Sequence, residues 1–451
     1  MTKDTRLDQK IQAHRLHAAY LGDRCKAFLH PLLHQLNTQL DRRLVRTFLG
    51  LILVILRHRH RQQGLVLSEL GGHLLPPDQA PAGTKRISNL LRSPRWAAAQ
   101  LCEYLWGQAD QRVGELGRAG ELALAIWDES VLEKPESLHL AGLGPVRSAK
   151  AARLKRIKPG FFNPPGGRPI MVPGFHWLQV LVTGLHGPPR VAHLRWWTTR
   201  GAQASDRRTQ ARAVLRHTAD RWGANVIHVW DRGFAGQPWL TLAYVHAVRF
   251  VLRWRKDFKL LDDQGRLRKP GELSRGRRSW EHRYLYDTRR RCRRKTGVIA
   301  FPVTDPVHHQ PLWLVVSRPK GRPPWYLLTN QPIRSPEDAW QIVFIYLRRW
   351  QVEMALRFDK CELAFESPRV QAWETQQRLL LITTLAYAFL VSLLDCSTVD
   401  IVTWLLRHWC HRTGEWQLTV KLPLYRLRLA LSQLWLTHPP PLLLRERLSS
   451  G

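Results

Sequence analysis

The chain has 451 residues, with 70 Lys+Arg against 35 Asp+Glu and a formal net charge of +35. That length exceeds one ordinary core and points to two or more domains, while 44% hydrophobic and 23% charged residues are globular values that exclude a disordered chain. So large a positive charge speaks of a polyanionic partner, RNA or DNA, rather than of fold.

Motifs narrow the classes further. Met1 to Tyr20 lacks the apolar core of a signal peptide. The longest apolar run, Leu379 to Leu394, is broken by Thr383, Thr384 and Ser392. It falls short of the ~18–20 residues a bilayer span needs, so it reads as a buried helix and no membrane partner is expected. The six cysteines are scattered without a C-x-x-C pair, which suits reduced thiols in a cytosol. His408, Cys410 and His411 have the composition of a zinc site, but no second cluster completes a ligand set. Neither a phosphate-cradling glycine loop nor an H-E-x-x-H pair is present, which excludes nucleotide-driven motors and zinc proteases.

In chain order, residues 1–115 read as a helical DNA-binding region, with Phe48 to Leu56 as a buried helix. The stretch Gly71 to Gly83, with three prolines, reads as a loop, and Thr84 to Arg92 as a short basic helix suited to DNA. Residues 116–247 form the first part of an α/β core. Leu122 to Trp127 is a strand that stops at Asp128, and a basic run spans residues 147–158. A turn lies around Pro164 to Gly167, and Ile170 to Val172 is a short extended piece ended by Pro173 and Gly174. Strands at Leu178 to Thr183 and Val191 to Trp197, a helix at Ala204 to Trp222, and a strand from Val226 to Trp230 that stops at Asp231 complete it. Residues 248–335 read as an all-β insertion whose basic loops, densest at residues 288–295, suit a phosphate backbone. Residues 336–395 return to helices, and 396–451 form a helical C-terminal region.

One helix, expected over 340–361, holds the most informative spacing. Tyr346, Arg349, Glu353 and Lys360 are separated by 3, 4 and 7 residues and fall on one narrow helical stripe. An exposed face with an ordinary Arg349–Glu353 pair explains this as simply as a site does. Asp128 and Asp231 each follow an apolar strand, which is common by itself. Three carboxylates from two strand ends and one helix, however, can converge and hold hard divalent cations that act on a phosphodiester. Glu129 should point away from Asp128 by strand alternation, and His228 should be a packed core histidine.

Asp128, Asp231 and Glu353 resemble the catalytic triad of the DDE transposases of bacterial insertion sequences. The helix matches the signature of one branch, the insertion-sequence-four family, Y-x2-R-x3-E-x6-K, at all four positions. About 0.001 such matches are expected by chance in this composition. Asp231-Arg232-Gly233-Phe234 is similar to the family's second motif.

The resemblance implies a ribonuclease-H-like mixed-sheet catalytic core carrying the all-β insertion, with helical N- and C-terminal regions on either side. It implies two Mg²⁺ ions, replaceable by Mn²⁺, on Asp128, Asp231 and Glu353. Tyr346, Arg349 and Lys360, with Arg232, would hold phosphates of double-stranded DNA at the transposon ends and target. The implied chemistry is cut-and-paste transposition through hairpin intermediates, by a homodimer in the paired-end complex, in the bacterial cytosol at the nucleoid. An extruded base near a hairpin needs an aromatic platform. Trp325, nearest in chain to the Glu353 helix, is the leading candidate, ahead of Trp254, Trp280 and Trp313. Two alternatives remain open: a ribonuclease-H-like nuclease without strand transfer, and an inactive DNA-binding descendant of a transposase.

Overall fold

The computed structural model describes residues 3–58, 64–137, 139–152, 169–287, 292–410 and 424–441. The basic run beyond residue 152, the turn at Pro164 to Gly167, the Arg-rich residues 288–291 and His411 lie outside them.

Five helices open the chain: α1 (Lys3–Asn37), α2 (Arg42–His58), α3 (Leu67–Leu74), α4 (Ala80–Arg92) and α5 (Ala98–Arg118). The apolar run Phe48 to Leu56 lies inside α2 and is buried but for Leu49. The expected loop at Gly71 to Gly83 is largely helical. Its prolines sit before or in the first turns of a 3₁₀ turn and of α4, where a missing N–H costs nothing. Its glycines serve packing: a Cβ on Gly83 would overlap the carbonyl of Gly71, so α3 and α4 touch backbone to backbone.

The sheet begins with β1 (Ala123–Glu133), β2 (Gly144–Arg147), β3 (Met171–Thr183) and β4 (Arg190–Trp197). After α6 (Arg207–Trp222) come β5 (Val226–Trp230), α7 (Gln237–Val245) and β6 (Arg249–Arg253). β3 is antiparallel to both β1 and β4, whereas β5 is parallel to β1 and β6 to β5. The order β4–β3–β1–β5–β6, with only β3 reversed, is the ribonuclease-H-like arrangement.

Two expected boundaries differ. β1 does not stop at Asp128 but runs on to Glu133, because β3 keeps pairing with it as far as Gly174, while the β5 ladder ends at Ile126↔Val229. The extended piece at 170–172 does not end at Pro173-Gly174 either; both residues lie within β3. Gly174 is required there, since a Cβ would overlap the Leu132 carbonyl across the strand pair.

The remaining strands join the same sheet. They are β7 (Leu260–Leu261), β8 (Leu267–Arg268), β9 (Glu281–Asp287), β10 (Cys292–Thr304), β11 (Pro311–Pro319) and β12 (Trp325–Thr329), with the short helix α8 (Pro270–Leu273) among them. β12 pairs antiparallel with β6, and β11, β10 and β9 follow outward, giving twelve strands among the described residues. The chain closes with α9 (Pro336–Arg348), α10 (Trp350–Cys361), α11 (Trp373–Ser392), α12 (Val399–Trp409) and α13 (Leu424–Thr437).

Apolar side chains alternate across the sheet into two cores. Leu124 and Ile126 face α10 and the helical bundle, while Ala125 and Trp127 face α6 and α7. α11 is buried along nearly its whole length, as its apolar run predicts, and no helix among the described residues is long and apolar enough to cross a membrane.

Candidate active site

The site forms where the β5 ladder leaves β1. Continuing the register from Ile126↔Val229 by two residues sets Asp128 level with Asp231. Asp231 caps a 3₁₀ turn, its Oδ1 accepting from the Gly233 N–H at 2.7 Å, which fixes that carboxylate. Asp128 shares the sheet face of Ile126 and so points toward α10. Burial first, and then the negative charge of Asp231, push its carboxyl up to about 7 against the pull of Arg349.

The expected single helix over 340–361 is two helices. Ser335 opens α9 with a reciprocal cap to Asp338, and the chain tightens at Arg349, whose N–H turns back to the Tyr346 carbonyl at 3.1 Å. Three of the four spaced residues still converge. Tyr346 is buried at the end of α9, and Arg349 stands at the joint with its guanidinium 5.6 Å from the Tyr346 ring. Arg349 forms ion pairs with Glu353 and, at 3.5 Å, with Asp128. Burial alone would lower the Arg349 pKa; Tyr346, Glu353 and Asp128 around it raise it above its ordinary value.

Lys360 does not join this group. Two turns further along α10, it faces Glu366 at 4.0 Å, and burial lowers its pKa. Around Glu366 gather Lys150 at 2.7 Å and the buried Lys134, whose Nζ donates to the Glu366 carbonyl at 2.8 Å. Arg232 is exposed beside Asp231.

Trp325 reaches the site's edge. Its ring meets Tyr346 edge-on at 5.5 Å, and the Arg253 guanidinium lies 5.5 Å from its centroid. Burial raises the Tyr346 pKa, and the charges of Arg349 and of Arg253, which ends β6, pull it back down. Of the other candidate rings, Trp254 is buried and gives its Nε1–H to the Phe258 carbonyl. Trp313 is packed against the core, and Trp280 is exposed.

Two arginines at the site escape a reading of the sequence. Arg253 is one; the only local signal is a cation closing an apolar strand. Arg207, the first residue of α6, is the other. Its Nε donates to Glu129 at 2.7 Å and its Nη1 to the Gly233 carbonyl at 2.8 Å, with the guanidinium over Phe234 and Trp239. Glu129 therefore points away from Asp128, as alternation requires, yet its charge still reaches Asp231. His228 is buried and accepts from Trp127 Nε1 at 3.1 Å.

Asp128 and Asp231, half-buried and repelling each other, have with Glu353 the donor chemistry of a divalent-cation site. As placed, no three His, Cys, Asp or Glu side chains among the described residues stand close enough to share one ion. The Arg349 guanidinium occupies the position between Asp128 and Glu353 that a cation would neutralise.

Residues 173–389 match the family model of the transposase DDE domain. The match supports a DDE transposase. It spans just under half of the chain and includes Asp231, Tyr346, Arg349, Glu353 and Lys360, while Asp128 precedes it. No curated protein matches the chain. Among solved structures, a cryo-EM piggyBac transposase synaptic complex with hairpin DNA is 14% identical at a TM-score of 0.41, over 91% of this chain and 74% of that one.

Proposed function

We propose that this chain is a cut-and-paste DNA transposase of the insertion-sequence-four branch, with Asp128, Asp231 and Glu353 as its catalytic carboxylates. The observation that carries this reading is the β1–β5 register, which levels Asp128 with Asp231, together with the Arg349 link from Asp128 to Glu353. The three carboxylates would hold two Mg²⁺ ions, replaceable by Mn²⁺, which supply activation of a water or 3′-hydroxyl and stabilisation of the leaving oxygen.

The other residues grip the nucleic acid. Arg349 presents a planar fork that suits a phosphate as well as a carboxylate, so a DNA phosphate competes for it with Asp128 and Glu353. Tyr346 offers its hydroxyl beside it, and Arg232 and Lys360 extend the grip on either side. Trp325, with Arg253 on its face, is the ring on which an extruded base stacks. Hydrolysis frees the 3′ end, that end attacks the other strand to give a hairpin, and the reopened end is transferred into target duplex. Paired ends require two copies, so the working unit is a homodimer, acting in the bacterial cytosol at the nucleoid.

The test is cleavage of a labelled duplex carrying the terminal repeats that flank the gene, with Mg²⁺ or EDTA. Metal-dependent cutting at the repeat boundary, lost in Asp128→Ala and Glu353→Ala, is expected, with hairpin and strand-transfer products. Cutting without strand transfer would mean a nuclease. Variants that cut like wild type would place the chemistry elsewhere.

A further inference from the structure

The β9–β10 ribbon has two unlike faces. On the inner one, Arg283 binds Glu281 and Glu337 and lies over Trp340. Leu285 packs on the core, and Arg294 pairs with Asp287. The outward face carries Trp280, His282, Tyr284 and Tyr286 from one side and Arg293 and Lys295 from the other, all exposed. The register pairs Tyr286 with Arg293 and Tyr284 with Lys295 directly across the ladder. Tyr284 is 69% and Tyr286 59% exposed. Opposite His282 stands Gly297, whose missing Cβ leaves room for the imidazole. None of these outward positions holds an acid.

We propose that this outward face is a second nucleic-acid surface, which binds unpaired DNA nucleotides by stacking bases on Tyr284 and Tyr286 and holding phosphates with Arg293 and Lys295. A row of rings on β9 beside a row of cations on β10 fits a strand whose bases lie to one side of its phosphates. The bases must be unpaired, because a duplex buries their faces in its own stack. An acid-free face of cations selects a polyanion over an ordinary protein partner. Five strand steps from β5, which leads into Asp231, to β9 place the ribbon about 24 Å away, at the sheet's outer edge. It is therefore a separate surface, and the inference holds whether or not the carboxylates act as proposed.

The test uses the full chain in EDTA with a fluorescein-labelled oligothymidylate of about 20 nucleotides and a duplex of the same length. Tyr284→Ala with Tyr286→Ala is expected to weaken single-strand binding on the order of tenfold or more, with duplex binding changed by less than about threefold. Tyr284→Phe with Tyr286→Phe keeps the rings and is expected to keep the affinity. Arg293→Ala with Lys295→Ala is expected to flatten the slope of log affinity against log salt by roughly 1.4. The rings are exposed, so the melting temperature of every variant should match wild type. Unchanged single-strand affinity in the double alanine variant would overturn the proposal. So would equal loss on duplex and single strand, which marks a plain phosphate face. Loss of self-association in place of DNA binding would assign the edge to a second copy.

Discussion

Asp128 carries a cost that the rest of the site must offset. Its carboxyl titrates at about 7 in the folded chain against an ordinary 3.8, so the folded state holds a proton that the unfolded chain releases earlier. The contribution of Asp128 to stability is then greatest at low pH and falls as pH rises between about 4 and 7. In EDTA, Asp128→Asn should therefore gain stability over wild type at pH 8, by a few kcal/mol at most, and lose that advantage near pH 4. Urea melts at the two pH values check this, and an Asn variant less stable at pH 8 would refute it. Arg207 belongs to the same scale. It ties Glu129, next to Asp128, to Gly233, whose N–H fixes Asp231. Arg207→Met should weaken Mn²⁺ binding on the order of tenfold, as loss of a ligand-orienting contact does. Electron paramagnetic resonance titration reads this directly, with Asp231→Ala as the reference for lost binding. Tyr346, Arg349 and Glu353 were legible because their spacing is local. Arg207 was not, because its partners lie 78 residues before it and 26 after it.

At the scale of elements, glycine shows how one residue type misleads a local reading. The cluster from Gly71 to Gly83 signals a loop, yet Gly71 and Gly83 are where α3 and α4 pack backbone to backbone. Gly83→Ala must force these helices apart and should cost about 1–3 kcal/mol, the usual penalty of overpacking. Gly107 in α5 gives the opposite sign, because a Cβ there meets nothing within 4 Å. Gly107→Ala should stabilise by about 0.5–1 kcal/mol through helix propensity and a less free unfolded chain. Thermal melts of the two variants separate the cases, and equal shifts would contradict this reading of the helix crossing. Strand periodicity gave β5 its end at Trp230, because there the apolar run and the ladder stop together. It could not give β1 its end, because pairing with β3 carries β1 through Asp128 to Glu133. The break at Arg349 was equally hidden, since one tightened turn leaves the apolar spacing unchanged.

Over the whole molecule, the order of elements foretold a mixed sheet between helices, whereas its width depended on long-range pairing. β12 joins β6 through Leu327↔Arg253, and no local pattern announces that partnership. The charge was legible from composition alone, and its consequence is a matter of salt. Each phosphate neutralised by a Lys or Arg releases condensed counterions, so log affinity for duplex should fall with log salt at a slope of about −0.9 per contact. A net charge of +35 spread over the chain does not by itself imply that many contacts, since cations on opposite faces cannot meet one duplex together. The grip proposed around Tyr346, Arg349, Lys360 and Arg232, together with exposed Lys85 and Arg86 on α4, sets a more modest expectation. If five cations engage, the slope is about −4.5, and affinity drops on the order of 500-fold between 50 and 200 mM salt. Arg232→Ala should then flatten the slope by about one while leaving the melting temperature unchanged, because its side chain is exposed. A wild-type slope near −1 would mean that this charge does not face the DNA.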